Sequence, residues 1–155
     1  MYKTILLTLL LNCFLFASDV DLTQKLSYNT QIQLAHAIQK EAIVYGSGQQ
    51  KVYVFIDPWC RYSRKFITMV SSNKEMLSKY RYYLYLYGIP RLHSQNAIAA
   101  VYNAKKPLST LLNIMLHDDK TVMPLNTNIQ NKINTIANTA KELHVNKRPF
   151  LIIEK

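Results

Sequence analysis

A chain of 155 residues with 49% hydrophobic content is long enough for one domain with a core of its own and short for two. Its formal charge of +10 comes from dispersed lysines and arginines with no RNP, zinc-finger or helix-turn-helix pattern among them, so a basic solvated surface is expected and nucleic-acid binding is not. The four histidines, His36, His93, His117 and His144, show no metal-ligand spacing, and no metal or other cofactor is expected.

Residues 1–17 have the organisation of a secretory signal. Lys3 gives the positive start, the stretch from Ile5 to Phe16 is almost wholly apolar, and Ala17 before Ser18 is a small cleavage residue. The stretch is shorter than the roughly 18 residues that span a bilayer, which favours export with cleavage over a permanent anchor. Cys13 lies in LLLNC, where a lipidated cysteine is an alternative, but Asn12 is a poor residue before one. On either reading Cys60 is left without an intramolecular thiol partner.

Residues 18–30 are polar and expected to be loose, with Thr30 capping a helix that buries Ile32, Leu34, Ala35, Ile38 and Ala42 and ends at Gly46 and Gly48. Residues 52–56 are a β-branched and aromatic run without a polar break, the composition of a strand covered on both faces. After Asp57 and Pro58 the period becomes helical, with Phe66, Ile67, Met69 and Val70 on one side and Arg61, Arg64 and Lys65 elsewhere. The aromatic run that follows alternates, Tyr80, Tyr82, Leu84 and Leu86 on one face and Arg81, Tyr83, Tyr85 and Tyr87 on the other. Gly88 and Pro90 close it. Helices are expected over 94–104, 107–115 and 128–143, and a short strand over 150–153, directly after Pro149. The order implies an α/β fold with a partly parallel sheet and flanking helices in one domain, 31–155.

In such sheets ligands gather beyond the carboxyl ends of parallel strands, where the turn Asp57-Pro58-Trp59 delivers Cys60. At a helix start, unpaired backbone N–H groups and the positive end of the dipole favour a thiolate, and Arg61 and Arg64 add positive potential. Ser63 stands one turn on, where a second thiol would complete a C-x-x-C pair; its hydroxyl can donate to the sulfur but forms no S–S bond, so resolution of any mixed disulfide comes from another molecule or from the substrate. The alternative is that Cys60 is an inert core residue, as free cysteines often are.

The segment KEAIVYGSGQQKVYVFIDPWCRYSRKF, with GIPRLHSQNAIAAVYNAKK and LHVNKRPFLII further on, resembles the catalytic domain of bacterial periplasmic disulfide isomerases of the DsbC/DsbG type, a branch of the thioredoxin-like fold. The resemblance spans about residues 31 to 155. It implies that Cys60 is the nucleophile, that Pro149 is the cis-proline facing it, that the backbone of Arg148 is aimed at the thiol, and that Trp59, Tyr62 and Pro149 shape a peptide groove with Arg61 and Arg148 setting its potential. Arg148 stands where the family usually has a small or β-branched residue; its guanidinium either biases the groove toward acidic or oxidised substrates or points to solvent.

Three departures accompany the resemblance. Ser63 replaces the second cysteine, the family's N-terminal dimerisation domain has no counterpart, and the family's final strand and helix are missing after Lys155, leaving the last strand as an open edge. The expectation is an exported, periplasmic monothiol protein that forms mixed disulfides with cysteine-containing exported proteins, in isomerase-like or thiol-holding fashion, with glutathione or a redox partner protein as an external thiol. The rivals are a redox-inactive docking piece of an envelope secretion or conjugation complex and a glutathione-dependent monothiol reductase.

Overall fold

The computed structural model describes residues 26–155; the segment expected to be a signal, with Cys13, lies outside the described residues. Helix α1 (Tyr28–Ala37) is capped by Ser27, whose hydroxyl accepts from the Thr30 N–H at 3.1 Å. Thr30 therefore lies inside the first turn, and the expected loose segment ends three residues earlier. The helix also stops before the glycines. A 3-10 turn, Gln39–Glu41, follows it, and Ile43–Tyr45, expected as the end of the helix, forms strand β1. Two β-branched residues and a tyrosine fit a pleated surface better than a helix, and a strand partner is present for them.

Gly46 and Gly48 serve a turn between strands instead of a helix stop. Gly46 has φ 84, and a Cβ on Gly48 would sit 2.0 Å from the Lys79 carbonyl carbon. From there β2 (Gln50–Ile56) runs into the centre of a four-stranded mixed sheet of order β1-β3-β2-β4, with β3 spanning Tyr80–Leu86 and β4 Phe150–Ile153. β2 and β3 are parallel, with Val52 opposite Tyr82 and Ile56 opposite Leu86; β1 and β4 add antiparallel on either side.

Each face of the sheet is covered. Val52, Val54 and Ile56 with Tyr82, Leu84 and Leu86 pack under α2 (Arg61–Ser71), α4 (Gln95–Asn103) and α5 (Pro107–Leu116). Tyr53, Phe55, Tyr83 and Tyr85 pack against α1 and α6 (Thr127–Glu142). The alternation expected for the aromatic strand is thus the one observed. Its tyrosines belong to the core: Tyr53 stacks on Tyr83 with centroids 5.4 Å apart, Phe55 meets Tyr85 at 4.9 Å, and the Tyr85 hydroxyl donates to the Ala35 carbonyl at 2.6 Å, tying α1 to the sheet. Burial drives the Tyr85 hydroxyl well above the ordinary phenol range, so it stays a donor. One helix was not foreseen, α3 (Lys74–Lys79), which the Asn73 side chain caps and which is too short to show a period.

The outer edge of β4 is partly closed by Tyr28. Its hydroxyl donates to the Ile153 carbonyl at 2.8 Å and accepts from the Lys155 N–H at 2.6 Å, occupying the groups a further strand would use.

Candidate functional site

Because β2 and β3 are parallel, their carboxyl ends open on the same side of the sheet, and the turn after β2 crosses that end. Cys60 closes the turn by donating its N–H to the Asp57 carbonyl at 3.1 Å and is the N-cap residue of α2, its carbonyl accepting from the Arg64 N–H at 2.9 Å. Its side chain does not cap the helix. The sulfur reaches instead to a segment 88 residues away and donates to the Arg148 carbonyl at 3.7 Å. The Arg148–Pro149 peptide bond is cis. Cys60 and Pro149 are therefore brought together, and only 6% of Cys60 is exposed.

Arg148 is partly buried, and its guanidinium is engaged by the end of β3. Its guanidinium carbon lies over the Tyr87 ring, 3.8 Å from the centroid, with Nε donating to the Tyr87 carbonyl at 3.0 Å and the terminal nitrogen to the Gly88 carbonyl at 3.3 Å. A planar donor fork over an aromatic face fits these carbonyls as an ammonium would not. The side chain fastens the segment before Pro149 to the end of β3, and its backbone carbonyl is held against the sulfur.

The sequence reading gave Asp57 no role beyond ending a strand, yet it organises the turn. Fully buried, it accepts from the Trp59 N–H at 2.8 Å with one oxygen, and with the other from the Ile89 N–H and from the Ser94 hydroxyl at 2.7 Å. Three donors from two crossings of the sheet end converge on one carboxylate, which compensates for its burial. The signal available in sequence was an acid in an otherwise apolar strand end, followed at once by proline.

Ser63 also differs from expectation. It is fully buried, and its hydroxyl accepts from the Asp57 N–H at 3.2 Å instead of serving the sulfur. Arg64 is likewise committed: Nε donates to the Pro58 carbonyl at 2.9 Å and the guanidinium pairs with Asp118 at 2.9 Å, an exposed carboxyl that Lys120 and, after it, Arg64 hold below the usual carboxylate range. Its charge is largely answered where it lies. Arg61 and Lys65 are exposed and make no ion pair among the described residues. Tyr62, 65% exposed, stands on the solvent side of α2 next to Cys60.

Trp59 is half-buried and forms one wall of an open groove of about 610 Å³ along α2, lined further by Arg61, Arg64, Lys65, Thr68 and Met69. Its indole Nε1 is buried without an acceptor, which costs about 1–3 kcal/mol. Among the described residues no three His, Cys, Asp or Glu side chains converge as metal ligands would.

No protein-family description matches the sequence, and no curated protein aligns with it. Solved structures do share its fold. A periplasmic thioredoxin-like protein from Salmonella enterica serovar Typhimurium superposes with a TM-score of 0.63 at 15% identity over 77% of this chain and 83% of that one. A disulfide interchange protein from Neisseria gonorrhoeae gives 0.57 at 18% over 73% and 79%, and DsbG from Helicobacter pylori 0.55 at 17% over 81% and 62%. The fold is thioredoxin-like.

Proposed function

We propose that this chain is a periplasmic monothiol protein of thiol–disulfide interchange in which Cys60 forms mixed disulfides with cysteine-containing exported proteins. The observation that carries the reading is the approach of the Cys60 sulfur, at the head of α2, to the carbonyl preceding cis-Pro149. The thioredoxin-like neighbours and the apolar N-terminal run of the sequence support the compartment.

Cys60, deprotonated, attacks one sulfur of a substrate disulfide; a Cys60–substrate S–S bond forms, the substrate S–S bond breaks, and the departing substrate thiolate takes up a proton. Once the thiol proton is gone the Arg148 carbonyl loses its donor and can accept from a substrate backbone N–H. Ser63 takes no part in release, since its buried hydroxyl forms no S–S bond. The substrate's own freed cysteine, or an outside thiol, returns Cys60 to its starting state, so disulfides are shuffled with no net oxidation.

The test is capture. Adducts isolated without reductant from the native compartment are expected to contain cysteine-bearing proteins joined to Cys60 and to vanish in Cys60→Ala; wild-type protein giving none would refute the reading.

The burial of Cys60 and its occupied S–H favour a second reading, a redox-inactive docking piece of an envelope complex. Native iodoacetamide labelling separates the two. A docking piece labels only as fast as it unfolds, whereas an interchange site labels in the folded state. A glutathione-dependent reductase predicts a stable glutathione adduct on Cys60 under oxidised glutathione.

A further inference from the structure

Two of the guanidinium groups near the thiol are committed to the fold, Arg148 to Tyr87 and Gly88 and Arg64 to Pro58 and Asp118. The cations left for a ligand are Arg61 and Lys65, and both line the groove that Trp59 begins. Trp59 and Arg61 flank Cys60 in sequence, so the groove, which Cys60 itself does not line, begins on either side of that residue and follows α2 away from it. Its walls are mostly apolar, the Trp59 ring, Met69 and the aliphatic stems of the basic side chains, with the charges at the rim. Asp118, which pairs with the groove residue Arg64, is held by Lys120 as well.

A surface of this kind suits an extended segment that places carboxylates against the rim while its apolar atoms lie on the indole and thioether. Charge complementarity of this sort selects among partners and speeds encounter more than it adds to affinity. We infer that the α2 groove selects cysteine-containing polypeptides that carry acidic residues beside the target cysteine. The inference rests on the reading of Cys60 as nucleophile, and it assigns a specificity role to Lys65, Thr68 and Met69 as well as Arg61.

The experiment uses the full chain and synthetic peptides whose cysteine is protected as a neutral pyridyl disulfide, flanked by glutamates or by lysines. Attack by Cys60 forms the peptide–Cys60 disulfide and releases thiopyridone, which absorbance reads. The Glu-flanked peptide is expected to react about tenfold faster, since each of two exposed ion pairs contributes a few-fold. The ratio is expected to collapse near 1 M salt, where the screening length is about 3 Å, and to invert in the double variant R61E/K65E.

Equal rates for the two peptides, or a ratio that survives both salt and charge reversal, would overturn the inference and leave the nucleophile in place. Glutathione disulfide reacting as fast as the Glu-flanked peptide would overturn the choice of a polypeptide. A readout independent of thiol chemistry is at hand because Trp59 is the sole tryptophan and lines the groove. In Cys60→Ser, disulfide-free Glu-flanked peptide is expected to change its emission and Lys-flanked peptide is not; no change with either would also overturn the inference. No reaction with any peptide, alongside a Trp59 response, would overturn the nucleophile alone.

Discussion

Asp57→Asn is the sharpest test of how the site is held, because it keeps the volume of the side chain and changes only what the second oxygen can do. In the wild type one carboxylate oxygen serves the Trp59 N–H and the other serves the Ile89 N–H and the Ser94 hydroxyl, all without solvent. An amide has a single accepting oxygen. If that oxygen faces Ile89 and Ser94, the NH2 group meets the Trp59 donor; if it turns to Trp59, the NH2 group meets the Ile89 donor, while the Ser94 hydroxyl can turn and accept from it. Either orientation leaves one buried donor unpaired, about 1–3 kcal/mol, and weakens the surviving bonds by roughly 1 kcal/mol each as a charged acceptor becomes neutral. Relief of the buried carboxylate's desolvation offsets part of this. A net loss of about 2–4 kcal/mol follows, a fall in Tm of about 4–16 °C at roughly 2–4 °C per kcal/mol. Urea unfolding followed by circular dichroism measures it. Ser94→Ala should cost only about 1 kcal/mol because Oδ2 keeps the Ile89 N–H, and the double variant should lose less than the sum of the two. Asp57→Asn within about 0.5 kcal/mol of wild type, or strict additivity with Ser94→Ala, would refute the account.

Tyr28→Phe removes the hydroxyl that occupies the β4 edge, so concentration-dependent association by light scattering should rise while monomer stability falls by no more than about 1.5 kcal/mol; an unchanged tendency to associate would show that the edge is guarded otherwise. Burial acts to raise Glu154, but the Tyr53 hydroxyl and the Lys51 ammonium outweigh it and hold its carboxyl below the usual range. A folded-state value below the unfolded one contributes stability above the unfolded value of 4.5 and loses it as pH falls through the folded value. The stability gap between wild type and Glu154→Gln should therefore close on acidification below pH 4.5, and at neutral pH it should be under about 1 kcal/mol because the pair is a third exposed. Ser63→Ala should cost about 1–3 kcal/mol through the orphaned Asp57 N–H and leave Cys60 alkylation unchanged; a shift in alkylation rate would return Ser63 to the sulfur.

The strands were legible where their own composition decides the matter. In β3 the two-residue alternation sorts Tyr82, Leu84 and Leu86 from Tyr83 and Tyr85, and the core divides along the same line. β1 escaped because three residues carry no period, and what makes Ile43–Tyr45 a strand is the partner β3, a long-range fact. The start of α1 was ambiguous for a local reason: Ser27 and Thr30 are both capping residues, and their hydroxyls even bond each other at 2.7 Å. Tertiary contact favours the earlier start, since a helix beginning at Thr30 would lose the Tyr28 hydroxyl from the β4 edge. At the site the thiol and its helix could be read from one short segment. The destinations of Ser63, Arg64 and Arg148 could not, because each side chain answers a backbone group whose position depends on how the turn and distant segments cross the sheet end.

Those destinations bear on how the site works. Asp57 holds the Ile89 N–H, and Arg148 holds the carbonyls of Tyr87 and Gly88, so the three residues after β3 are gripped from both sides of the cleft. Through Arg148 the same stretch fixes the carbonyl that engages the Cys60 sulfur, and through Asp57 it fixes the turn on which Cys60 rides. Neither latch touches a substrate, yet loosening either one changes how far the sulfur stands from that carbonyl. The thiol is nearly buried, and on the proposed function a peptide lying over Pro149 competes for the Arg148 carbonyl and so releases the sulfur as it binds. On that reading substrate contact and nucleophile access are one event, which limits attack by Cys60 on small disulfides whose adduct the Ser63 hydroxyl cannot expel.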